Sequence, residues 1–135
     1  MPETAPSDVV RRVMLALGKG DLDGFAAELS QDIEWHGTGN LLPVGVWRGK
    51  AVVLDALQQN AARRGRPTRI VLREVSSRGQ TVLLLGVVEL EDPHGARTSV
   101  VNNWVFTLRA GLVQRVTAYL SDGVARAAHA KAAEA

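Results

Sequence analysis

The sequence predicts an α+β domain in which a curved antiparallel sheet carries N-terminal helices on one face. Apolar residues recur with helical spacing before residue 30 and again between residues 50 and 62, whereas beyond Pro67 they alternate as in β-strands. Short turn sequences separate the later apolar runs. Four successive strands joined by such turns form an antiparallel meander, which gives the helices a sheet to cover.

Two helices are expected to open the domain, after a segment at residues 1–6 that we expect to be disordered. Ser7 is a preferred N-cap residue type, and Gly18 and Gly20 end the first helix. Asp21 can cap a second helix. The apolar residues that define these helices are Val9, Val10, Val13, Met14 and Leu17 in the first, and Leu22, Phe25, Ala26 and Leu29 in the second.

A short strand from Asp32 to His36 is predicted next, followed by a glycine-rich loop that includes Trp47 and by a third helix at about 50–62. The meander is predicted at 68–76, 80–91, 96–109 and 112–120. The alanine-rich residues 123–135 are expected to form a short helix or tail, so the domain proper spans residues 7–122.

Composition limits the classes of function. The 135 residues are enough for one domain. Two observations argue against nucleic acid as a partner: the net charge is only +2, and the arginine cluster near residues 63–69 has no aromatic residue for base stacking. Cysteine is absent, which excludes disulfides, thiolate metal sites and a cysteine nucleophile. The N-terminus lacks a signal-peptide pattern and no apolar run could span a bilayer, so we expect a cytoplasmic protein without a membrane partner.

Several segments of the sequence carry a family resemblance. They are Gly20-Asp21-Leu22-Asp23-Gly24-Phe25, Leu29 with Asp32, Trp35-His36, Trp47-Arg48-Gly49-Lys50, and the run from Trp104 to Val113. Over residues 7–122 the chain resembles the SnoaL-like branch of the ketosteroid isomerase and nuclear transport factor 2 superfamily. The resemblance implies a cone-shaped, cystatin-like α+β fold with an apolar cavity. It also implies a homodimer formed through the sheet.

Three residues are candidates for chemistry. The resemblance aligns His36 with the general base of ketosteroid isomerase, and a neutral imidazole could act as a base near neutral pH. It aligns Asp122 with the acid/base aspartate of SnoaL-type cyclases. Asn102 lies in phase with Trp104 on an apolar strand face. Its amide there is expected either to form a hydrogen bond with a neighbouring backbone group or to orient a substrate. The simpler interpretations are a pocket-wall histidine and a helix-capping aspartate.

Steroid-type isomerisation is disfavoured, because Val13 and Trp104 stand near the positions of that enzyme's two oxyanion donors and supply no equivalent group. The candidate substrate-binding residues are Phe25, Trp47, Trp104, Tyr119 and Glu89. The three histidines, His36, His94 and His129, have no metal-ligand spacing, so no metal is expected.

The leading functional hypothesis is a cofactor-independent enzyme that moves protons on a small apolar molecule, as a polyketide cyclase or an isomerase does. The alternative is a non-catalytic module of the same fold that binds a small ligand or dimerises. A third interpretation is epoxide hydrolysis, with Arg97 or Arg115 as the partner of a catalytic aspartate.

Overall fold

A computed structural model describes residues 5–134. The helices are α1 (Pro6–Gly18), α2 (Leu22–Ala27), α3 (Lys50–Arg64) and α4 (Asp122–Glu134). The strands are β1 (Leu29–Gly37), β2 (Gly45–Arg48), β3 (Arg66–Arg78), β4 (Thr81–Glu91), β5 (Arg97–Arg109) and β6 (Leu112–Tyr119). The fold is the predicted α+β class, a curved sheet with N-terminal helices.

The six strands form one sheet in the order β2-β1-β6-β5-β4-β3. The predicted meander is confirmed, since β3 to β6 pair antiparallel in sequence order. The sheet is mixed rather than wholly antiparallel, because β1 pairs parallel with β6. Trp47 was expected in a loop, but it lies in the short strand β2, where it pairs with Trp35.

Helix α1 begins one residue before the predicted cap. Ala5 takes the N-cap position and Pro6 follows it as the first helical residue, so Ser7 lies inside the helix. Proline suits this position because its missing N–H would have no partner there and its φ is already helical. Residues 1–4 of the terminus expected to be disordered lie outside the described residues.

Helix α2 starts as its sequence indicates, with the Asp21 carboxylate accepting a hydrogen bond of 2.9 Å from the Gly24 N–H. Helices α1 to α3 pack on one face of the sheet, called here the inner face. The main core lies between these helices and the sheet. It includes Val13, Met14 and Leu17 of α1, Val53 and Leu57 of α3, and Trp104 and Phe106 of β5.

The C-terminal segment forms the 13-residue helix α4, which packs on the opposite face of the sheet, called here the outer face. Ala125 is fully buried there against Leu83, Leu85 and Val105. The helices therefore cover both faces of the sheet. Alanine gives α4 a high helix propensity and a small cross-section, so at Ala125 the helix can lie close to the strands.

Candidate functional site

The inner face is filled by aromatic side chains. The rings of Phe25 and Trp35 lie 5.8 Å apart, and those of Trp35 and Phe106 lie 6.3 Å apart at 81°. Both separations are in the favourable range for tilted and edge-to-face aromatic pairs. The interior between sheet and helices is therefore closely packed around Trp35.

Residues 38–44, called here the plug segment, close one end of this interior. Leu41 and Leu42 are buried in the core. The Asn60 amide of α3 donates to the Gly39 carbonyl at 3.1 Å and to the Leu41 carbonyl at 2.9 Å. Because Asn60 is itself only 3% exposed, these bonds fix the segment from inside the protein.

Asn102 meets the plug segment from the sheet side. Its Oδ1 atom accepts hydrogen bonds from the Thr38 hydroxyl and the Asn40 amide, both at 3.1 Å. The remaining hydrogen-bonding capacity of this buried amide lies in its Nδ2 group, which can only donate. Asn102 thus joins strand β5 to the plug segment and retains a donor.

Trp104 lies two residues further along the same face of β5. Its side chain is fully buried, and its Nε1 atom has no hydrogen-bond partner among the described residues. A buried donor without an acceptor costs about 1–3 kcal/mol. Gly86 on β4 makes room for the ring, because a Cβ atom there would lie 3.0 Å from Trp104 Cζ3.

His36 points the other way. It follows the buried Trp35 in β1, so strand alternation directs it to the outer face. There its Nε2 atom lies 3.1 Å from Glu34 Oε2 and 3.4 Å from an Arg115 terminal nitrogen. Arg48 donates to the other Glu34 oxygen at 2.9 Å. We call these four residues the Glu34 cluster.

The pKa of Glu34 is lowered from its ordinary value. The main cause is the hydrogen bond from His36, followed by the charge of Arg115 and the hydrogen bond from Arg48, which together outweigh partial burial. Glu34 is therefore an ionised acceptor that orients His36, and the cluster links strands β2, β1 and β6.

Asp122 also lies on the outer face, in the first turn of α4. Its two carboxylate oxygens accept hydrogen bonds from the Arg73 guanidinium at 2.9 and 3.1 Å, and Oδ1 also accepts from the Asn103 amide at 3.0 Å. The bond from Arg73 is the main reason that the pKa of Asp122 is lowered and that of Arg73 is raised. Asp122 fastens α4 to the sheet.

The eight candidate residues therefore form two groups. Asn102, Trp104, Phe25 and Trp47 lie on the inner side, and His36, Asp122, Tyr119 and Glu89 belong to the outer face. The structure does not bring His36 or Asp122 together with Asn102. Tyr119 packs against α4, and Trp47 donates its indole N–H to the Pro43 carbonyl at 2.9 Å.

Sequence reasoning missed Asn60, Arg73 and Glu34. Asn60 carried a detectable signal, because it continues the buried stripe of α3 formed by Val53, Ala56 and Leu57 at i, i+3 and i+4. A polar residue in such a stripe indicates a specific hydrogen bond. Arg73 and Glu34 gave no comparable signal, since charged residues on a strand are usually solvated.

The comparison with protein families matches residues 10–116 to the SnoaL-like domain. The chain therefore belongs to the SnoaL-like family. The search of curated proteins finds no match.

Solved structures of similar fold include three that are each about one-fifth identical to this chain in sequence. TerC, co-crystallised with polyporic acid, is 20% identical with a TM-score of 0.70, over 94% of this chain and 99% of TerC. Rv0760c from Mycobacterium tuberculosis, in complex with estradiol-17β-hemisuccinate, is 20% identical with a TM-score of 0.72, over 89% of this chain and 97% of Rv0760c. Δ5-3-ketosteroid isomerase from Mycobacterium sp. is 22% identical with a TM-score of 0.69, over 87% of this chain and 95% of the isomerase.

These similarities establish a ketosteroid isomerase-like fold. Between residues 5 and 134, no helix is long and apolar enough to cross a membrane. The same part of the chain contains no group of three or more histidine and acidic side chains arranged to hold a metal ion.

Proposed function

We propose that this protein binds a small, largely apolar molecule on the inner face of the sheet, as a ligand-binding module rather than an acid/base enzyme. The observation that carries the proposal is the buried Trp104 indole N–H without an acceptor. An oxygen atom of a ligand would satisfy this donor, and the Asn102 amide could donate to the same ligand from two residues along the strand. Phe25 and the ring of Trp104 would supply apolar contact.

The plug segment is the proposed entrance. It belongs to no helix or strand, and side-chain hydrogen bonds from Asn60, Thr38 and Asn40 hold it. Such bonds can open without loss of a sheet ladder. A ligand would displace Leu41 and Leu42 and take their place against Phe25 and the ring of Trp104.

Acid/base catalysis receives less support from the geometry. Its two proposed proton carriers, His36 and Asp122, lie on the outer face and are both engaged with arginine. Neither can reach a molecule held by Asn102 without crossing the sheet. Binding without proton transfer needs only the inner residues.

The homodimer remains part of the proposal in an altered form. Helix α4 covers β4, β5 and part of β6 on the outer face, so a partner copy would contact β1 and β2, where Val46 is exposed. Light scattering would test this, and a monomer at micromolar concentration would contradict it.

Isothermal titration calorimetry with estradiol-17β-hemisuccinate and with polyporic acid tests the ligand proposal, because proteins of the same fold bind these molecules. Trp104→Phe should weaken binding by about 3- to 10-fold, the value of one hydrogen bond, since the ring remains while the N–H is lost. Trp35→Phe is the matched control and should change affinity less than about twofold. Equal affinity of Trp104→Phe and wild type would contradict the proposal, as would absence of binding by both probes.

A further inference from the structure

A cavity lies on the outer face between the sheet and α4. It has a volume of about 170 Å³ and is called here the outer crevice. Its lining consists of Val105, Thr107, Arg115, Thr117, Tyr119, Ala128 and Ala132. A cavity of about 150 Å³ is enough to hold one benzene ring in another protein, so the outer crevice has room for a ligand body of that size.

The shape of the outer crevice follows from the sequence of α4. Ala128 and Ala132 are four residues apart and so lie on the same side of the helix, above the sheet. Their methyl groups reach only a short distance toward the strands, which leaves space above Val105. Longer side chains at these two positions would fill that space.

Every polar side chain of the lining can donate a hydrogen bond. Thr107, Thr117 and Tyr119 contribute hydroxyl groups, and Arg115 contributes a guanidinium group. A ligand that complements them presents oxygen acceptors, and a carboxylate presents two on one planar group. The apolar part of the lining, Val105 with the alanine methyls, suits a hydrocarbon body.

The charge that favours an anion is that of Arg115 itself, which is the one charged residue of the lining. Its Nε atom bonds Glu34 Oε2 at 3.2 Å, and one terminal nitrogen lies 3.4 Å from His36 Nε2. A guanidinium group has five N–H donors, so these contacts leave donors for a ligand. The side chain is 55% exposed, so a ligand in the crevice can reach it.

We infer that the outer crevice binds a small monocarboxylate with an apolar body of about one ring, whose carboxylate pairs with Arg115 and whose ring lies between Val105 and α4. This site is distinct from the proposed inner site, because the sheet separates them. The two proposals can therefore fail independently.

The test is an NMR titration of the full chain with sodium benzoate. Benzoate should shift the backbone amide signals of Thr117 and Ala128, one on each side of the crevice, with a single saturable curve. Benzamide, which has the same shape without the charge, should bind at least about tenfold more weakly, the loss expected for a charge-assisted hydrogen bond. Equal shifts with both compounds would overturn the inference.

Two variants locate the site. Arg115→Gln should weaken benzoate binding at least about tenfold, and Ala128→Leu should abolish it by filling the space. Arg97→Gln is the matched control, because Arg97 is also an exposed strand arginine paired with a glutamate but does not line the crevice. Benzoate binding that is unchanged in Arg115→Gln, or lost equally in Arg97→Gln, would overturn the inference, as would absence of a saturable shift in the wild type.

Discussion

Asn60→Ala should destabilise the protein through the plug segment. The substitution removes two hydrogen bonds of 3.1 and 2.9 Å and leaves the Gly39 and Leu41 carbonyls facing the protein interior without this donor. Each buried acceptor that loses its partner costs about 1–3 kcal/mol, and a carbonyl with a second lone pair lies at the low end of that range. We therefore expect a loss of about 2–4 kcal/mol in the free energy of unfolding, or a fall in Tm of about 10 °C for a chain of this length.

The assay is urea denaturation followed by circular dichroism, with Gln59→Ala as the matched control. Gln59 is the neighbouring residue of α3, is exposed, and bonds only to Asp55 one turn away at 2.8 Å. Pairs of that kind contribute about 0.2–0.5 kcal/mol. Asn60→Ala should also speed proteolytic cleavage within residues 38–44. If the two variants unfolded within 0.5 kcal/mol of each other, on the scale of ordinary surface substitutions, Asn60 would not hold the plug segment as described.

Three further predictions concern the packing of Trp104 and the attachment of α4. Gly86→Ala should destabilise the protein by about 1–3 kcal/mol in thermal melts, because the added methyl overpacks Trp104; unchanged melting would refute this close contact. Asp122→Asn should increase hydrogen exchange of α4 amides at neutral pH, because it weakens the bidentate pairing with Arg73; exchange identical to wild type would contradict that attachment. Since the folded-state pKa of Asp122 is lowered, its stabilisation is present at neutral pH and is lost as the pH falls below about 4, so the stability difference between wild type and Asp122→Asn should shrink with acidification in urea titrations. A difference that stayed constant or grew in acid would contradict the assigned ion pair.

Local periodicity predicted much of the fold. The change from helical to alternating spacing placed the first three helices and the meander, and alternation placed Asn102 and Trp104 on one face of β5. The same rule predicted that Trp35 and His36 lie on opposite faces of β1. The order of elements, helices first and meander after, predicted a curved sheet with helices on one face, and the family resemblance added its cone shape.

Non-local features could not be predicted in this way. The parallel pairing of β1 with β6 joins segments about eighty residues apart, and no local pattern in either strand encodes it. Strand β2 has only four residues, beginning with Gly45, which is too short for an alternating pattern. The docking of α4 depends on ion pairs between Asp122 and Arg73, and between Arg126 and Glu74, whose partners are distant in sequence.

The candidate site changed for the same reason. Alternation shows that two residues face opposite ways, but only the packed structure shows which face is covered by α1 to α3. The residue type of His36 suits an acid/base group, but its position on the outer face places it in the Glu34 cluster instead. The unpartnered N–H of Trp104 could be recognised only after the side chains around it were placed.

The indole N–H signals of the three tryptophans give the most direct test of ligand binding at the inner face. Trp104→Phe assigns the Trp104 signal in a ¹⁵N-labelled protein, and estradiol-17β-hemisuccinate is then titrated into the wild type. We predict that the Trp104 signal moves downfield and follows the binding curve, because its free N–H gains an oxygen acceptor. A Trp104 signal that stays in place while the ligand binds would show that the inner-face donor does not recognise it, and would contradict the proposed function.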